Sequence, residues 1–270
     1  MLKFLLTLAF SAGLISCASH TTAPSRTTAS QVDTLLPADV LLLGEQHDVR
    51  QHQQIHQQVI ALLAQRGLLA AVALEMADAG ATTAGLPASA SEQQAQSALK
   101  WNNSAWPWAA YGPAVMAAVK AGVPVLGANL PREQMRPKML DAALDGQLPD
   151  AALKAQQQLI RTGHCNLLPE SQITPMTRIQ IAKDISMAGT LTKAVMPGKV
   201  VVLLSGSGHT DRQLGVPQHL PVSLKTKAVR LRAGGAAADD KAESFDAVWA
   251  TPALPDKDYC EEFKKQMGMK

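Results

Sequence analysis

Four short apolar runs, each ending abruptly in polar residues, constrain this fold more than any other feature. Val40-Leu41-Leu42-Leu43 runs into Gly44-Glu45-Gln46-His47, and Ala71-Val72-Ala73-Leu74 runs into Glu75. Val123-Pro124-Val125-Leu126 leads to Asn129 through Arg132, and Val200-Val201-Val202-Leu203-Leu204 leads to Gly206-Ser207-Gly208-His209. Such runs read as strands buried on both faces, the pattern of a parallel sheet covered by helices. In that architecture the carboxyl ends of the strands line one edge, and ligands bind there. Residues distant in sequence therefore converge on one crevice. Two of the four strand ends carry a Gly-x-x-His unit, at Gly44–His47 and Gly206–His209.

The segments between these runs support the same reading. Residues 48–66 carry Ile55, Val59, Leu62 and Leu63 at helical spacing, Asp48 is placed to cap that helix, and Gly67 ends it. With strands at 40–43 and 69–74 it forms a βαβ unit with a right-handed crossover. Residues 79–91 read as a loop and 91–100 as helical. Trp101, Trp106, Trp108 and Tyr111 then crowd around Pro107, ahead of a helix at 113–121 and a strand at 123–127. Helices are expected at 133–145, 149–161 and 172–195, then strands at 199–204, 225–231 and 245–250. The stretch 233–241 reads as a polar hairpin tip or loop. The fold class is α/β, a mostly parallel central sheet flanked by helices, with a helical insertion.

A chain of 270 residues, 47% hydrophobic and of net charge +3, suits one globular domain. No basic stripe points to nucleic acid. Polarity beyond the first segment excludes a protein with many membrane spans. The first residues read as an export signal: Lys3, a short apolar stretch from Phe4 to Phe10, then small residues. Leu14-Ile15-Ser16-Cys17 resembles a bacterial lipobox, which places cleavage before Cys17 and lipid on Cys17. An ordinary signal peptide with an incidental cysteine is the alternative. Ala18 stands where an inner-membrane retention Asp would sit, so this resemblance favours the outer membrane, facing the periplasm. The expected organisation is a signal at 1–16, a flexible tether at 17–31 rich in Ser, Thr and Ala, and one domain at 32–270.

Two cysteines remain, Cys165 and Cys260. In an oxidising envelope they invite a disulfide tying the C-terminal segment to the turn around Gly163-His164-Cys165. Two free thiols or a thiolate metal site are the alternatives.

Taken together, the motifs resemble those of the ChaN-type iron-regulated, haem-binding lipoproteins, grouped with the Tiki, TraB and erythromycin-esterase-like proteins. The matching segments are Leu42 through Asp48 with His52, Leu74-Glu75-Met76, Trp106-Pro107-Trp108 with Tyr111, and Pro124 through Arg132. Gly163-His164-Cys165, Asp184 through Ala188, Gly206-Ser207-Gly208-His209 and Gly215-Val216-Pro217 complete the set. Two positions depart from the usual pattern: Val49-Arg50 stands where Asn-Pro follows the first His-Asp, and Lys183 where an Arg precedes Asp184. The resemblance implies ferric haem held by a tyrosine, with His and Lys near its propionates.

Each candidate also has an ordinary structural reading. Glu45, His47, Glu75 and His209 suit a divalent metal or acid–base catalysis, and in the Tiki-like relatives paired Gly-x-x-His turns go with metal-dependent activity. The same four residues could equally form a hydrogen-bonded polar cluster without turnover. Tyr111 is the preferred haem ligand, since a phenolate suits ferric iron and Tyr259 lies in the tail. Trp106 and Trp108 are candidate walls for the porphyrin. Plain aromatic packing is the alternative for all three. His52 and Lys100 are candidate propionate partners, while His56 on the same helix as His52 is expected to be solvated. Met76, Met116 and Met187 read as core. A zincin, a Gly-x-Ser-x-Gly hydrolase and a dinucleotide fingerprint are all excluded by motif.

The reading is a lipid-anchored envelope protein that binds haem for uptake, transfer or storage, without obligatory turnover. Expected partners are haem, outer-membrane lipid through Cys17, a second copy in a haem-linked dimer, and a haem receptor or periplasmic carrier. The rivals are a metal-dependent hydrolase using the two Gly-x-x-His turns, and an envelope interaction protein with a vestigial site.

Overall fold

A computed structural model describes residues 27–234, 243–266 and 268. The Cys17 lipobox and most of the tether lie outside them. In chain order the elements are α1 (Thr28–Asp33), β1 (Val40–Glu45), α2 (Arg50–Gln65), β2 (Leu69–Asp78), α3 (Glu92–Ala98), α4 (Trp108–Lys120) and β3 (Val125–Asn129). They continue with α5 (Arg132–Leu140), α6 (Asp150–Gly163), α7 (Glu170–Ala194), β4 (Val200–Gly206), α8 (Ser207–Thr210), β5 (Thr226–Ala233), β6 (Ala247–Thr251) and α9 (Tyr259–Gln266).

Among the described residues six strands pair in parallel, in the order β3-β2-β4-β1-β5-β6. β1 and β2 are consecutive in sequence but not neighbours, because β4 lies between them. Side chains alternate across the sheet as a strand requires. Leu41 and Leu43 join Val59, Ile60 and Leu63 of α2 and Val115 of α4 in one core. Val40 and Leu42 join Met187 and Leu191 of α7 in the core on the opposite face. Helices cover both faces, so β1 and β4 are buried at every position. This is why their sequences are apolar without alternation. Met76, Met116 and Met187 are all core residues, as expected.

Several details differ from the sequence reading. β5 and β6 pair in parallel, with Val229 opposite Ala247 and Ala233 opposite Thr251. A parallel pair is not joined by a hairpin tip, and residues 235–242 of the connection lie outside the described residues. The Asp246 carboxylate accepts the Ala228 N–H at 2.8 Å and pairs with Arg212 and Lys227. Val49, not Asp48, is the N-cap of α2, and no side chain caps that end. The tether expected through residue 31 gives way to α1, whose Thr27 cap accepts from Ser30 N–H and whose Val32 is fully buried.

The insertion is α5, a 3-10 turn (Ala142–Gly146), α6 and the first half of α7. It forms its own small core around Leu144, Leu148 and Ile181. Arg178 of α7 fixes its geometry by donating to both carboxylate oxygens of Asp145. Cys165, in the turn between α6 and α7, is bonded to Cys260 at the start of α9.

Candidate functional site

The carboxyl ends of β1, β2 and β4 bring the four predicted acid and imidazole residues into one place. Parallel register sets Glu45 beside Gly206 on the neighbouring strand, although 161 positions separate them in sequence. A side chain at 206 would push on the His47 ring. A Cβ there would lie 2.9 Å from His47 Nε2. Gly44 is under tighter constraint, since a Cβ would meet Thr210 Oγ1 at 2.3 Å and Ser207 Cα at 2.7 Å.

The charged groups form an alternating row. Glu45 Oε1 accepts from His47 Nδ1 at 2.8 Å and from the Tyr111 hydroxyl at 2.7 Å, and Oε2 accepts from the Gln53 amide at 2.7 Å. His47 Nε2 lies 3.9 Å from Glu75 Oε2. Glu75 Oε2 accepts the Gly206 N–H at 2.7 Å, and Oε1 lies 3.3 Å from His209 Nε2. His209 Nδ1 donates to Asp184 Oδ1 of α7 at 2.6 Å. The order is Glu45, His47, Glu75, His209, Asp184: carboxylate, imidazole, carboxylate, imidazole, carboxylate.

Burial and neighbours oppose each other along this row. Burial lowers the pKa of His209, but Glu75 and Asp184 outweigh it and carry the pKa up to about 10. Burial raises Asp184 to about 6, against the pull of His209. Burial would raise Glu75, yet His209, His47 and the Gly206 N–H hold it well below the usual carboxylate range. Glu45 is likewise buried, and hydrogen bonding from His47, the neighbouring His56 and Tyr111 bring it below its ordinary value. His47 moves up, as Glu45 and Glu75 overcome its burial. Each buried charge is thus stabilised by opposite charges, the condition under which buried charges are tolerated. Gln180 lies 3.1 Å from His209 Nδ1. The atom facing the ring is Gln180 Nε2, and the Nδ1 proton is already given to Asp184.

This pairing bears on the metal reading. The polar atoms are spent on one another in a row rather than aimed at a common point. Among the described residues no group of three or more His, Cys, Asp or Glu side chains is arranged to hold a metal ion.

The aromatic segment folds over the row. Trp106 lies edge-on to His47 at 4.9 Å and to Tyr111 at 5.9 Å. Trp101 packs edge-on to Trp108 at 5.1 Å, and Trp108 Nε1 donates to Glu92 at 2.8 Å. Tyr111 is only 2% exposed, and burial with the nearby Glu45 pushes its hydroxyl pKa far up. As placed, its oxygen is a donor to Glu45. Trp108 is buried in the α3–α4 packing, so of the two candidate walls only Trp106 borders open space.

His52 is fully buried. Its Nδ1 accepts the Gln46 N–H at 3.0 Å and its Nε2 lies 3.1 Å from Thr251 Oγ1. Burial lowers its pKa to about 4. It locks the turn after β1 to β6 and has no ring nitrogen left for a propionate. His56 is buried as well, against the expectation that it is solvated. α4 packs over α2 and covers the face it occupies, with His56 Nδ1 3.5 Å from Glu45 Oε2.

Lys100 is exposed. It lines a cleft of about 490 Å³ beside the row, at the ends of β2 and β3. Met76, Leu99, Trp106 and Met135 give the cleft apolar walls, Lys100, Arg132 and Lys183 give it three cations, and Asp78 gives it one carboxylate. Its backbone adopts a left-handed conformation at Lys100, φ 50°. Arg132 and Lys183 stood in quoted motifs but carried no assigned role. Asp184 and Gln180 belong to the same motif as Lys183 and likewise carried no role, Gln53 was not singled out, and His56 was read as solvated. A polar residue in mid-helix reads as a solvent face, and only the four-residue spacing of Gln180 and Asp184 signalled a shared inward direction.

The comparisons bear on the whole frame. A solved structure described as "Cofacial heme binding to ChaN of Campylobacter jejuni" superposes with a TM-score of 0.67 at 28% identity, covering 82% of this chain and 90% of that one. "The structure of the type III effector HopBA1" superposes with a TM-score of 0.52 at 14% identity, over 88% of this chain and 100% of that one, a likeness of fold alone. No curated protein matches the chain in sequence. Residues 31–220, spanning β1 through β4 and hence the whole site, match the model of the family described as "Haem-binding uptake, Tiki superfamily, ChaN", and the chain belongs to that family.

Proposed function

We propose that this protein binds ferric haem in the cleft between Trp106 and the start of α5, and holds or hands on the haem without transforming it. The observation that carries the reading is the composition of that cleft: thioether, aliphatic and indole walls, with three cations against the single carboxylate of Asp78. Haem is a flat apolar ring with two carboxylates on one edge, and this lining matches both parts. Trp106 would lie against the ring, and Lys100, Arg132 and Lys183 would take the propionates through charge-assisted hydrogen bonds. When bound, haem supplies a ferric iron that accepts an anionic or neutral ligand from the protein. A ring face left outside the cleft would favour pairing with a second subunit.

The mature chain begins at Cys17, carries lipid there and resides in the bacterial envelope, with a receptor or periplasmic carrier as donor or acceptor. A single acyl chain anchors only marginally, so two or more are needed. Mass spectrometry of the N-terminal peptide tests the anchor. An unmodified peptide beginning elsewhere overturns it.

Titration of purified protein with hemin tests the central reading. A saturable Soret band with a defined stoichiometry is expected. Hemin that stays indistinguishable from its free form overturns it.

A further inference from the structure

Asp78 is the last residue of β2, and it lines the cleft together with Lys100, Arg132 and Lys183. The four charges differ in reach. Lys and Arg carry theirs on long stems that can turn toward a ligand. Asp carries its own on a single methylene, so the carboxylate stays where the backbone places it. The sheet holds that backbone. Asp78 stands opposite Asn129 of β3, and the next residue, Ala79, donates its N–H to the Asn129 carbonyl at 2.9 Å. The Asp78 carbonyl accepts the Ala81 N–H at 3.1 Å. Gly127 packs so close to it that a Cβ there would lie 2.1 Å from the Asp78 carbonyl oxygen. The Asp78 carboxylate is therefore a fixed negative charge among adaptable positive ones.

Its surroundings do not favour a further negative charge. Burial and Glu133, in the first turn of α5, raise the Asp78 pKa against the Arg132 N–H and Lys100. A second carboxylate brought close to such a group is opposed by like charge. Three cations against one fixed acid leave the lining with an excess of two positive charges. Haem brings two carboxylates, and that excess balances them. A ligand with more carboxylates would bring charge that the cations no longer balance and that Asp78 repels. A site selects by such repulsive elements as well as by attraction.

We infer that Asp78 sets how many carboxylates the cleft accepts: it fits the site to a dicarboxylate tetrapyrrole and turns away tetrapyrroles with more acidic groups. This specificity rests on the haem reading above, since it concerns which tetrapyrrole the same cleft takes.

The test measures dissociation constants at pH 8 for ligands that differ in charge: haem dimethyl ester, with no carboxylate, hemin, with two, and iron coproporphyrin III, with four. Full-length wild type is compared with Asp78→Asn, which keeps an oxygen for the Arg132 N–H, and with Asp78→Glu, which keeps the charge. Wild type should bind hemin more tightly than iron coproporphyrin III. Asp78→Asn should leave the ester unchanged, tighten hemin about threefold and tighten iron coproporphyrin III about tenfold, because the cost of opposing like charges grows with their number. Both gains should shrink as salt is added. Asp78→Glu should keep the wild-type order. An equal change for all three ligands in Asp78→Asn overturns the inference. Weaker hemin binding in that variant overturns it too, because Asp78 would then hold the cations in place for the ligand. Wild type that binds hemin and iron coproporphyrin III alike has the same effect. In each of these cases hemin still binds and the haem reading stands. Hemin that binds neither wild type nor variants overturns the haem reading itself, and the inference falls with it.

Discussion

The hydroxyl of Tyr111 donates to Glu45 Oε1 across 2.7 Å, joining α4 to the end of β1 beneath the Trp106 ring. The same carboxylate oxygen receives His47 Nδ1, so a single acidic group orients both the phenol and the imidazole. A phenol beside a buried carboxylate resists ionisation, and a phenolate ligand would have to give up this bond first.

Replacing Tyr111 with Phe therefore tests the assignment made from sequence. The ring and its packing remain, while Glu45 loses one of its donors. A loss of about 1–2 kcal/mol in denaturant unfolding is expected, with hemin binding retained. Disappearance of a phenolate charge-transfer band in the variant would restore Tyr111 as the iron ligand.

The three cations of the cleft make a second prediction. Lys100→Gln, Arg132→Gln and Lys183→Gln should each weaken hemin binding, by about 1 kcal/mol or more, and the weakening should shrink as salt is added. Haem dimethyl ester, which has no propionate charge, should bind wild type and variants alike. Variants that discriminate hemin from its ester as wild type does would place the propionates elsewhere.

The charged row sets a pH dependence whose direction follows from its shifts. The pKa of His209 rises from 6.5 to about 10 on folding, so its stabilising contribution is complete below about 6.5 and is lost as pH climbs through about 10. Glu75 is held below its unfolded value, and its contribution is complete above about 4.5 and lost on acidification. His52, lowered to about 4, likewise contributes above 6.5 and loses its contribution as pH falls through 4. Asp184, raised to about 6, works the other way on the acid side. Thermal melts across this range should peak near neutrality. His209→Gln should flatten the alkaline limb and cost about 3–5 kcal/mol, since it strands Glu75 and Asp184 without their cation. An unchanged alkaline limb in the variant would contradict the arrangement.

Metal analysis bears on the enzyme alternative. Because the row is internally paired, purified protein should hold no stoichiometric zinc or manganese, and His47→Ala should not alter its metal content. Stoichiometric metal lost in both His47→Ala and His209→Ala would revive the hydrolase.

Gly44→Ala probes the close approach of β1 to α8. With Ser207 Cα only 2.7 Å from the added carbon, backbone must move, and a loss of about 2–3 kcal/mol is expected. Stability within 0.5 kcal/mol of wild type in urea unfolding would show that the two turns are not so tightly apposed.

The strands and the strand-end residues were legible because doubly buried strands leave unbroken apolar runs, and Glu45, Glu75 and His209 punctuate them. Residues whose surroundings are made by distant segments were not legible. His56 looks like a surface residue until α4 is laid over α2, and His52 looks free until Thr251 of the last strand reaches it. Asp184 and Gln180 sit in a helix whose two covered sides, sheet and insertion, erase the amphipathic pattern that reveals which residues point inward. Arg132 and Lys183 gain meaning only when a cleft forms between their helices. The parallel course of β6 was hidden because the length of a connection does not reveal its direction.

The placement of β4 between β1 and β2 has a consequence for how the molecule comes into being. The first two strands are made early but are not each other's partners, and their shared neighbour is synthesised more than a hundred residues later. Until residue 206 is available, Glu45 and Glu75 face a gap, and His47 and His209 cannot lie beside the same carboxylate. An emerging chain therefore spends most of its synthesis with a gap at the middle of its sheet, a situation that favours slow, late closure. The charged row does not exist in an amino-terminal fragment that stops before residue 209, and it is completed in the same event that closes the sheet.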